Sequence, residues 1–204
     1  TIHPVIIRER RRERERFKSL VKIHKVLTSD EINELLGFKF KRDPLVEILC
    51  FSFMPNHLHL LVRQIRFNGI TKFIQKFATG YALYFNKRYN RAGHLFQGRY
   101  KIVHIKSEEQ LKNTFVYIHV NSISLLEPKW KEDGIKNPSK VQKFVENYKW
   151  SSYPDYIGKK NFPSVTEREF LLKIMDGKKG CREFVNYWVK YKGEINSLND
   201  VILE

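Results

Sequence analysis

An apolar hairpin with two histidines in its second strand constrains the fold of this chain more than any other feature. Two apolar runs, residues 46–53 and 57–63, flank a Met-Pro-Asn sequence that has the composition of a turn. His57 and His59 stand two apart in the second run, so on a strand they share one face, about 6.6 Å apart along the chain. Such a pair can hold one divalent metal ion. For the two histidines alone, simple strand alternation remains the alternative.

The charge of the chain indicates a polyanionic partner. Its 204 residues contain 38 lysines and arginines against 22 acidic residues, a net charge of +16. Nucleic acid is the usual partner of so basic a protein, and a membrane surface and simple solubility are the alternatives. No apolar run reaches the roughly 18 residues of a membrane span and no signal-peptide pattern opens the chain, so we expect a cytoplasmic, nucleoid-associated protein with no membrane partner. Two cysteines are too few for a disulfide framework, and Cys50 is expected in the core.

The length and a hydrophobic content of 42% indicate one globular domain with three segments. Residues 1–45 are expected to form a basic N-terminal arm and helices, because a block of charge precedes apolar residues at helical spacing. Residues 46–128 are expected to form the core that carries the function, and residues 129–204 an aromatic-rich, mostly helical C-terminal extension. Within the core the pattern predicts a helix over 69–89, a third strand over 100–105 and a helix from Ser107 to about Ser124.

The predicted helix that follows Ser107 has two different stripes. One is mostly apolar and is expected to face the core: Leu111, Phe115, Ile118, Ser122 and Leu125. The stripe beside it is polar throughout: Gln110, Thr114, Tyr117, Asn121 and Ser124. Tyr117 and Asn121 are an i, i+4 pair, so their side chains are neighbours. His119 lies about 200° from Tyr117 around the helix axis and is therefore left out of any metal site near Tyr117.

These residue types could cut a phosphodiester bond. Two strand histidines and the amide oxygen of Asn121 would make a metal site with open positions for phosphate and water. Tyr117, one helical turn away, could be the nucleophile, although its phenol, with an ordinary pKa near 10, ionises at neutral pH only with help from a nearby cation. A covalent phosphotyrosine would conserve the energy of the broken bond for strand transfer. Taken singly, Tyr117 is an ordinary helix tyrosine and Asn121 a surface or capping residue.

Basic and aromatic residues around and after the end of the helix over 69–89 suit a single strand of nucleic acid. Rings offer stacking surfaces and cations neutralise the backbone, whereas a solvated loop is the alternative. The residues predicted to contact nucleic acid are Lys87, Arg88, Arg91, His94, Arg99, Lys101 and Lys106.

Five motifs in a fixed order resemble the single-tyrosine HUH transposases, the IS200-like family, and within it the REP-associated tyrosine transposase branch. They lie between about residues 46 and 158: Met54-Pro55-Asn56-His57-Leu58-His59-Leu60-Leu61-Val62, Tyr84-Phe85-Asn86-Lys87-Arg88-Tyr89, Gly93-His94-Leu95-Phe96-Gln97-Gly98-Arg99-Tyr100, Tyr117-Ile118-His119-Val120-Asn121 and Trp150-Ser151-Ser152-Tyr153. The resemblance implies an α+β fold, a ferredoxin-like antiparallel sheet with helices packed on it. It makes residues 46–128 the HUH catalytic core.

The resemblance also implies a function. His57, His59 and Asn121 would hold magnesium or manganese, and Tyr117 would be the nucleophile. The implied reaction is cleavage and rejoining of single-stranded DNA near hairpins, through a 5′-phosphotyrosine and a free 3′-hydroxyl. In this branch the tyrosine serves its own chain's site, so a monomer is expected rather than a dimer. The alternatives are a catalytically inactive protein that binds DNA hairpins and a hydrolytic metal nuclease.

The sequence departs from the family pattern at two places. The family usually opens with a strand that carries a Tyr-His-Val-x-Asn-Arg-Gly-like run, and this chain lacks the run. Residues 1–7 are the only extended candidate, so the first strand could be missing, which would leave backbone edges unpaired. Ser122 stands where the family typically has proline, and the change is expected to do no more than lengthen the helix.

Overall fold

The computed structural model describes the backbone of residues 2–8 and the backbone and side chains of residues 44–191. The helices predicted between residues 9 and 43 lie outside the described residues, as does the end of the C-terminal extension after residue 191. The described part is an α+β architecture built on one sheet. Its strands are β1 (Ile2–Arg8), β2 (Val46–Met54), β3 (His57–Gln64) and β4 (Lys101–Ile102).

The opening strand, whose absence the sequence suggested, is present as β1. The sheet order is β2-β3-β1-β4 with antiparallel neighbours throughout, which is the order of a ferredoxin-like sheet. β1 pairs along its whole length with β3, with Ile2 opposite Arg63 and Arg8 opposite His57. The expectation of a missing strand was therefore wrong. Isoleucine and valine supply enough β propensity here to form the strand without the usual family run.

Strand β3 divides the core in two, because its side chains alternate between the faces of the sheet. One face shares a hydrophobic cluster with helix α1 (Gly69–Arg88), and this cluster includes Leu58, Leu60, Val62, Ile70 and Ile74. The other face, to which His57 and His59 belong, packs Leu61 against helix α2 (Glu108–Val120). The histidines therefore face α2.

A bulge in β2 directs two consecutive side chains into the core beneath α2. Ile48 pairs with Val62 and Cys50 with Leu61, so Leu49 is the extra residue. Leu49 and Cys50 are both fully buried in the cluster that contains Leu61. Burial raises the pKa of the Cys50 thiol well above its ordinary value, so this cysteine is an inert core residue, as predicted.

Helix α2 begins where the sequence predicted and ends in a different geometry. The Ser107 hydroxyl accepts the backbone N–H of Gln110 at 3.1 Å and caps the first turn. After Val120 the chain continues as a 3₁₀ helix, Asn121–Leu125. Its three residues per turn advance the side chains faster than an α-helix does, so Leu125 leaves the apolar stripe and is 40% exposed. The hydroxyl of Ser122 donates to the carbonyl of His119 at 3.0 Å and supports this junction.

The predicted third strand is much shorter than residues 100–105. Only Lys101 and Ile102 pair, opposite Ile6 and Val5 of β1. Both β4 side chains are exposed, so no buried face favours a longer strand at this edge.

The described part of the C-terminal extension is helical, as predicted, and it completes the core under α2. Buried side chains from these helices join those of β2 and α2 in one cluster. No helix in the described part of the chain is long and apolar enough to cross a membrane. The helices are α3 (Trp130–Asp133), α4 (Pro138–Glu146), α5 (Tyr153–Tyr156), α6 (Glu169–Ile174) and α7 (Gly177–Tyr191).

The same extension closes the outer edge of β2. The backbone N–H of Phe53 donates to the carbonyl of Trp150 at 2.8 Å, and that of Ser152 donates to the carbonyl of Phe51 at 3.0 Å. Two further carbonyls of this strand accept phenol groups: Tyr148 donates to Phe53 at 2.6 Å and Tyr156 to Leu49 at 2.5 Å. An edge whose backbone groups are already paired offers little to a strand from another molecule.

Candidate active site

The two histidines of β3 lie side by side on a strand that is paired along both edges. Their ring centroids are 4.8 Å apart, with the ring planes at 81°. His59 is almost completely buried, whereas His57 is half-buried and has its Nδ1 2.8 Å from the side-chain oxygen of Asn56. A strand paired on both edges is rigid, so it fixes the separation of the two imidazoles.

Helix α2 places two more of the predicted residues against His59. The Tyr117 ring meets the His59 ring at 89°, with the centroids 5.6 Å apart. Nδ2 of Asn121 lies 2.9 Å from Nε2 of His59. Asn121 is buried and Tyr117 is half-buried, which leaves the phenol ring partly open to solvent. The structure thus brings together all four residues that the sequence proposed as ligands and nucleophile.

Imidazole nitrogens and an amide oxygen are donor atoms that divalent cations accept. Nδ2 of Asn121 and Nε2 of His59 are at hydrogen-bond distance, 2.9 Å. A half-turn of the amide presents its oxygen instead of its nitrogen without changing its shape. Among the described residues no group of three His, Cys, Asp or Glu could hold a metal, so a site here depends on the amide.

Ser52 provides a further polar group on the same face. It lies opposite His59 in the register between β2 and β3. Its hydroxyl is buried and has no hydrogen-bond partner in the described part of the molecule. Ser52 is therefore a buried hydroxyl next to His59 in the sheet, without a protein partner among the described residues.

His119 lies between Tyr117 and Asn121 in the sequence but has a different structural role. It is fully buried, and its Nε2 lies 2.9 Å from the Ser152 hydroxyl. That hydroxyl also accepts the backbone N–H of Phe51 at 2.9 Å. Burial lowers the pKa of His119 from 6.5 to about 3. His119 is therefore neutral at neutral pH and joins α2 to the edge of β2 through Ser152.

Sequence reasoning did not single out Ser52, Ser152 or Lys131. The role of Ser152 could have been suspected from its place in the Trp-Ser-Ser-Tyr motif. Lys131, whose Nζ is 5.6 Å from the centroid of the Tyr117 ring, carries no sequence signal, because it lies beyond the end of α2 in a lysine-rich segment.

The residues predicted to contact nucleic acid lie on the surface with one exception. Arg91 is half-buried: its guanidinium donates to the Asn86 side-chain oxygen at 2.8 Å and lies over the Phe85 ring at 5.8 Å. Arg91 therefore contributes to the order of the chain that follows α1. The remaining predicted residues are exposed: Lys87, Arg88, His94, Arg99, Lys101 and Lys106.

The loop that carries several of these residues is anchored to α1. Leu95 is 1% exposed, and the ring of Phe96 lies 6.0 Å from that of Tyr81. The Asn86 amide donates to the carbonyl of Gly93 at 3.0 Å. Gly98, at the exposed end of the loop, has φ +73°, a conformation that favours glycine. The loop thus presents its cations from a fixed base.

The chain is similar to one known protein family and to a solved structure. The family model of the IS200-like transposases matches residues 2–121. The chain belongs to this family. The part that matches the IS200-like transposases begins in β1 and includes the paired histidines, Tyr117 and Asn121. A solved structure of a REP-associated tyrosine transposase bound to a REP hairpin is 15% identical, covers 80% of this chain and 83% of its own, and has a TM-score of 0.47. No curated protein matches the sequence.

Proposed function

We propose that this protein is a metal-dependent transposase of the REP-associated type, which cleaves and rejoins single-stranded DNA near hairpins. The observation that supports this most directly is the convergence of three side chains from different elements. The Tyr117 ring of α2 and the Asn121 amide, at the start of the 3₁₀ helix that continues α2, both meet His59 of β3, with the amide at 2.9 Å and the ring centroid at 5.6 Å. A nucleophile beside a nitrogen and oxygen ligand set is the arrangement that phosphoryl transfer to a side chain needs.

In the proposed reaction the phenolic oxygen of Tyr117 attacks the phosphorus of the scissile phosphodiester. The bond from Tyr117 to phosphorus forms while the bond from phosphorus to the 3′ oxygen breaks. The phenol loses its proton and the leaving oxygen gains one, so the products are a 5′-phosphotyrosine and a free 3′-hydroxyl. Attack by a 3′-hydroxyl on the phosphotyrosine reverses these bonds and rejoins the strand.

His57, His59 and Asn121 would hold the magnesium or manganese ion of such an enzyme. When bound, the ion would withdraw charge from the phosphate oxygens and favour ionisation of a nearby phenol. The residues of the protein fix the position of the reacting groups: β3 sets the imidazoles, α2 sets the phenol, and the 3₁₀ helix that continues α2 sets the amide. Tyr117 is only half-buried, so part of the residue remains accessible to a DNA strand.

Single-stranded DNA with a hairpin is the proposed substrate. The net charge of +16 and the exposed cations after α1 provide the attraction for a polyanion. Arg99 and Lys101 lie on or beside the anchored loop, where they can contact a strand without ordering a flexible segment first. The solved neighbour binds a REP hairpin, and we propose hairpin DNA of that general kind here. The site of action would be the cytoplasm, at the nucleoid.

We propose that the protein works as a monomer whose Tyr117 serves its own histidines. All three side chains of the group come from one chain at contact distance. The outer edge of β2 is occupied by the C-terminal extension, so extension of the sheet across two copies at this edge would first have to displace it.

An inactive hairpin-binding protein is the second candidate function. Its main support was the suspected loss of the first strand, which would have left the sheet incomplete. Since β1 is present and pairs along its whole length with β3, that support is gone. The candidate therefore remains as an outcome of the test below.

A labelled single-stranded hairpin with flanking DNA, incubated with the protein and Mn²⁺, tests the proposal on a denaturing gel. We expect a covalent protein–DNA adduct that Tyr117→Phe abolishes. Tyr187→Phe, at an exposed helix tyrosine in α7, is the matched control and should retain the adduct. Binding without any adduct from the unaltered protein would leave the inactive hairpin binder. Cleavage that survives Tyr117→Phe would indicate a hydrolytic nuclease.

A further inference from the structure

A lysine from the C-terminal extension lies against the proposed nucleophile. The Nζ of Lys131 is 5.6 Å from the centroid of the Tyr117 ring and 5.7 Å from that of the Trp130 ring. Both distances fall within the range of about 6 Å over which a cation is attracted to an aromatic face. The ammonium of Lys131 therefore lies near two aromatic rings, those of Tyr117 and Trp130.

The backbone of Lys131 is fixed by its neighbour in sequence. Trp130 begins the short helix α3 and is almost completely buried. Its ring packs at 67° against the Trp188 ring of α7, with the centroids 5.5 Å apart. Because the tryptophan is anchored in the core, the lysine stem starts from a defined point and its charged end lies over the phenol.

Tyr117 is thus contacted by two groups of different chemistry. The His59 imidazole meets its ring at a right angle, and the Lys131 ammonium lies over its face. The first contact links the phenol to the proposed metal ligands. The second brings a full positive charge to the residue on which negative charge develops during attack.

We propose that Lys131 is a positioning residue for Tyr117: its ammonium lies over the phenol ring, holds it for attack and supplies positive charge next to the phenol. This inference rests on the proposed function, in which Tyr117 is the nucleophile. It goes beyond the ligands and nucleophile that the family resemblance implies, and it gives the C-terminal extension a part in the chemistry.

The surroundings of the ammonium strengthen its effect. Lys131 is exposed as a residue, but its ammonium lies against the faces of two rings. Desolvation lowers its pKa, and the nearby Glu132 opposes this. A ring in place of water on one side of the ammonium reduces the screening of its charge toward the phenol. Negative charge on the phenol oxygen and on the phosphate is greatest in the transition state. An interaction that is stronger in the transition state than in the bound ground state raises the rate of the chemical step rather than the affinity for DNA.

A lysine that only bound the DNA backbone would behave differently. Its loss would weaken binding and leave the rate at saturating DNA unchanged, because ground state and transition state would be affected alike. The rate constant at saturation and the half-saturating concentration therefore separate the two roles.

Single-turnover adduct formation, with protein in excess over a labelled hairpin and Mn²⁺ present, measures both quantities. The variants are Lys131→Met, which keeps the stem and removes the charge, and Lys131→Arg, which keeps a cation able to stack on aromatic rings. Lys129→Met is the matched control, because it removes an exposed charge from the same segment. We expect Lys131→Met to lower the saturating rate about 10- to 100-fold with little change in half-saturation, Lys131→Arg to restore most of the rate, and Lys129→Met to leave the saturating rate unchanged.

Two results would overturn the inference and are distinguishable from each other. If the unaltered protein forms adduct and Lys131→Met forms it as fast at saturation as Lys129→Met does, Lys131 does not assist Tyr117, although the proposed function stands. If the unaltered protein forms no adduct, the proposed function fails and the inference fails with it. Circular dichroism and hairpin binding by Lys131→Met confirm that the variant is folded.

Discussion

The buried, neutral His119 should make the protein less stable in mild acid. In the folded state its pKa is lowered to about 3, against 6.5 for a solvent-exposed histidine. Below pH 6.5 the unfolded chain therefore binds a proton that the folded chain does not, so the free energy of unfolding rises with pH in this range. The stabilisation is fully present above about pH 6.5 and is lost as the pH falls from there toward 3.

The size of the effect at pH 5 depends on the unfolded state alone, because the folded histidine is still neutral at that pH. The gap between 6.5 and 5 is 1.5 pH units, and each unit corresponds to about 1.4 kcal/mol. His119 should therefore account for a loss of about 2 kcal/mol in the free energy of unfolding between pH 7 and pH 5. For a domain of ordinary stability this is a large fraction of the total.

Urea unfolding at pH 7 and at pH 5 gives the loss in the free energy of unfolding for each protein. The difference between the loss in the natural protein and the loss in His119→Gln is the contribution of His119. Glutamine can donate to the Ser152 hydroxyl but does not titrate, and the contributions of the carboxylates cancel in the comparison. We expect the loss between the two pH values to be about 2 kcal/mol smaller in His119→Gln. His94→Gln, at an exposed histidine, is the control and should behave as the natural protein does. An equal loss in His119→Gln and the natural protein would refute a neutral, buried His119, as would a protonated His119 ring in the folded protein at pH 5 by ¹⁵N NMR.

Two further predictions concern Ser152, which is the partner of His119, and His59. Ser152→Ala should lower the free energy of unfolding by about 2–4 kcal/mol, because it removes the partner of both His119 and the Phe51 N–H inside the core. The control Ser164→Ala, at an exposed position, should change the free energy of unfolding little. Similar urea midpoints for the two variants would contradict this prediction. His59→Ala should abolish adduct formation while hairpin affinity in a filter-binding assay changes only a few-fold, since the exposed cations remain. An equal loss of binding and cleavage would mean that His59 has a structural role instead.

Local patterns in the sequence were sufficient to predict much of the fold. Two apolar runs around a turn sequence predicted the hairpin of β2 and β3, and spacings of three and four predicted α1 and most of α2. Ser107 marked the first turn of α2 because a hydroxyl at that position satisfies a free backbone N–H. The pairing of His57 with His59 on one face, and of Tyr117 with Asn121 on another, follows from the same periodicities.

The errors occurred where pairing partners were distant in sequence or where the helix type changed. Propensity suggested an extended segment at residues 1–7, but only pairing with β3 shows that it is the missing strand of the sheet. The third strand was overestimated because apolar alternation says nothing about whether a face is covered. Leu125 was placed in the core on an α-helical wheel, and the change to a 3₁₀ helix moved it to the surface.

The sequence by itself determined which residues share a strand face or a helix face, because those relations depend only on the repeat of the backbone. Tertiary structure alone decided that the face with His59 meets the face with Asn121, two residues that are 62 positions apart in the chain. It also decided that His119 is buried, that residues 148–167 close the edge of β2 and that Lys131 lies over Tyr117. The physical reason is that burial, desolvation and contact between elements depend on how the whole core packs, which no local repeat encodes.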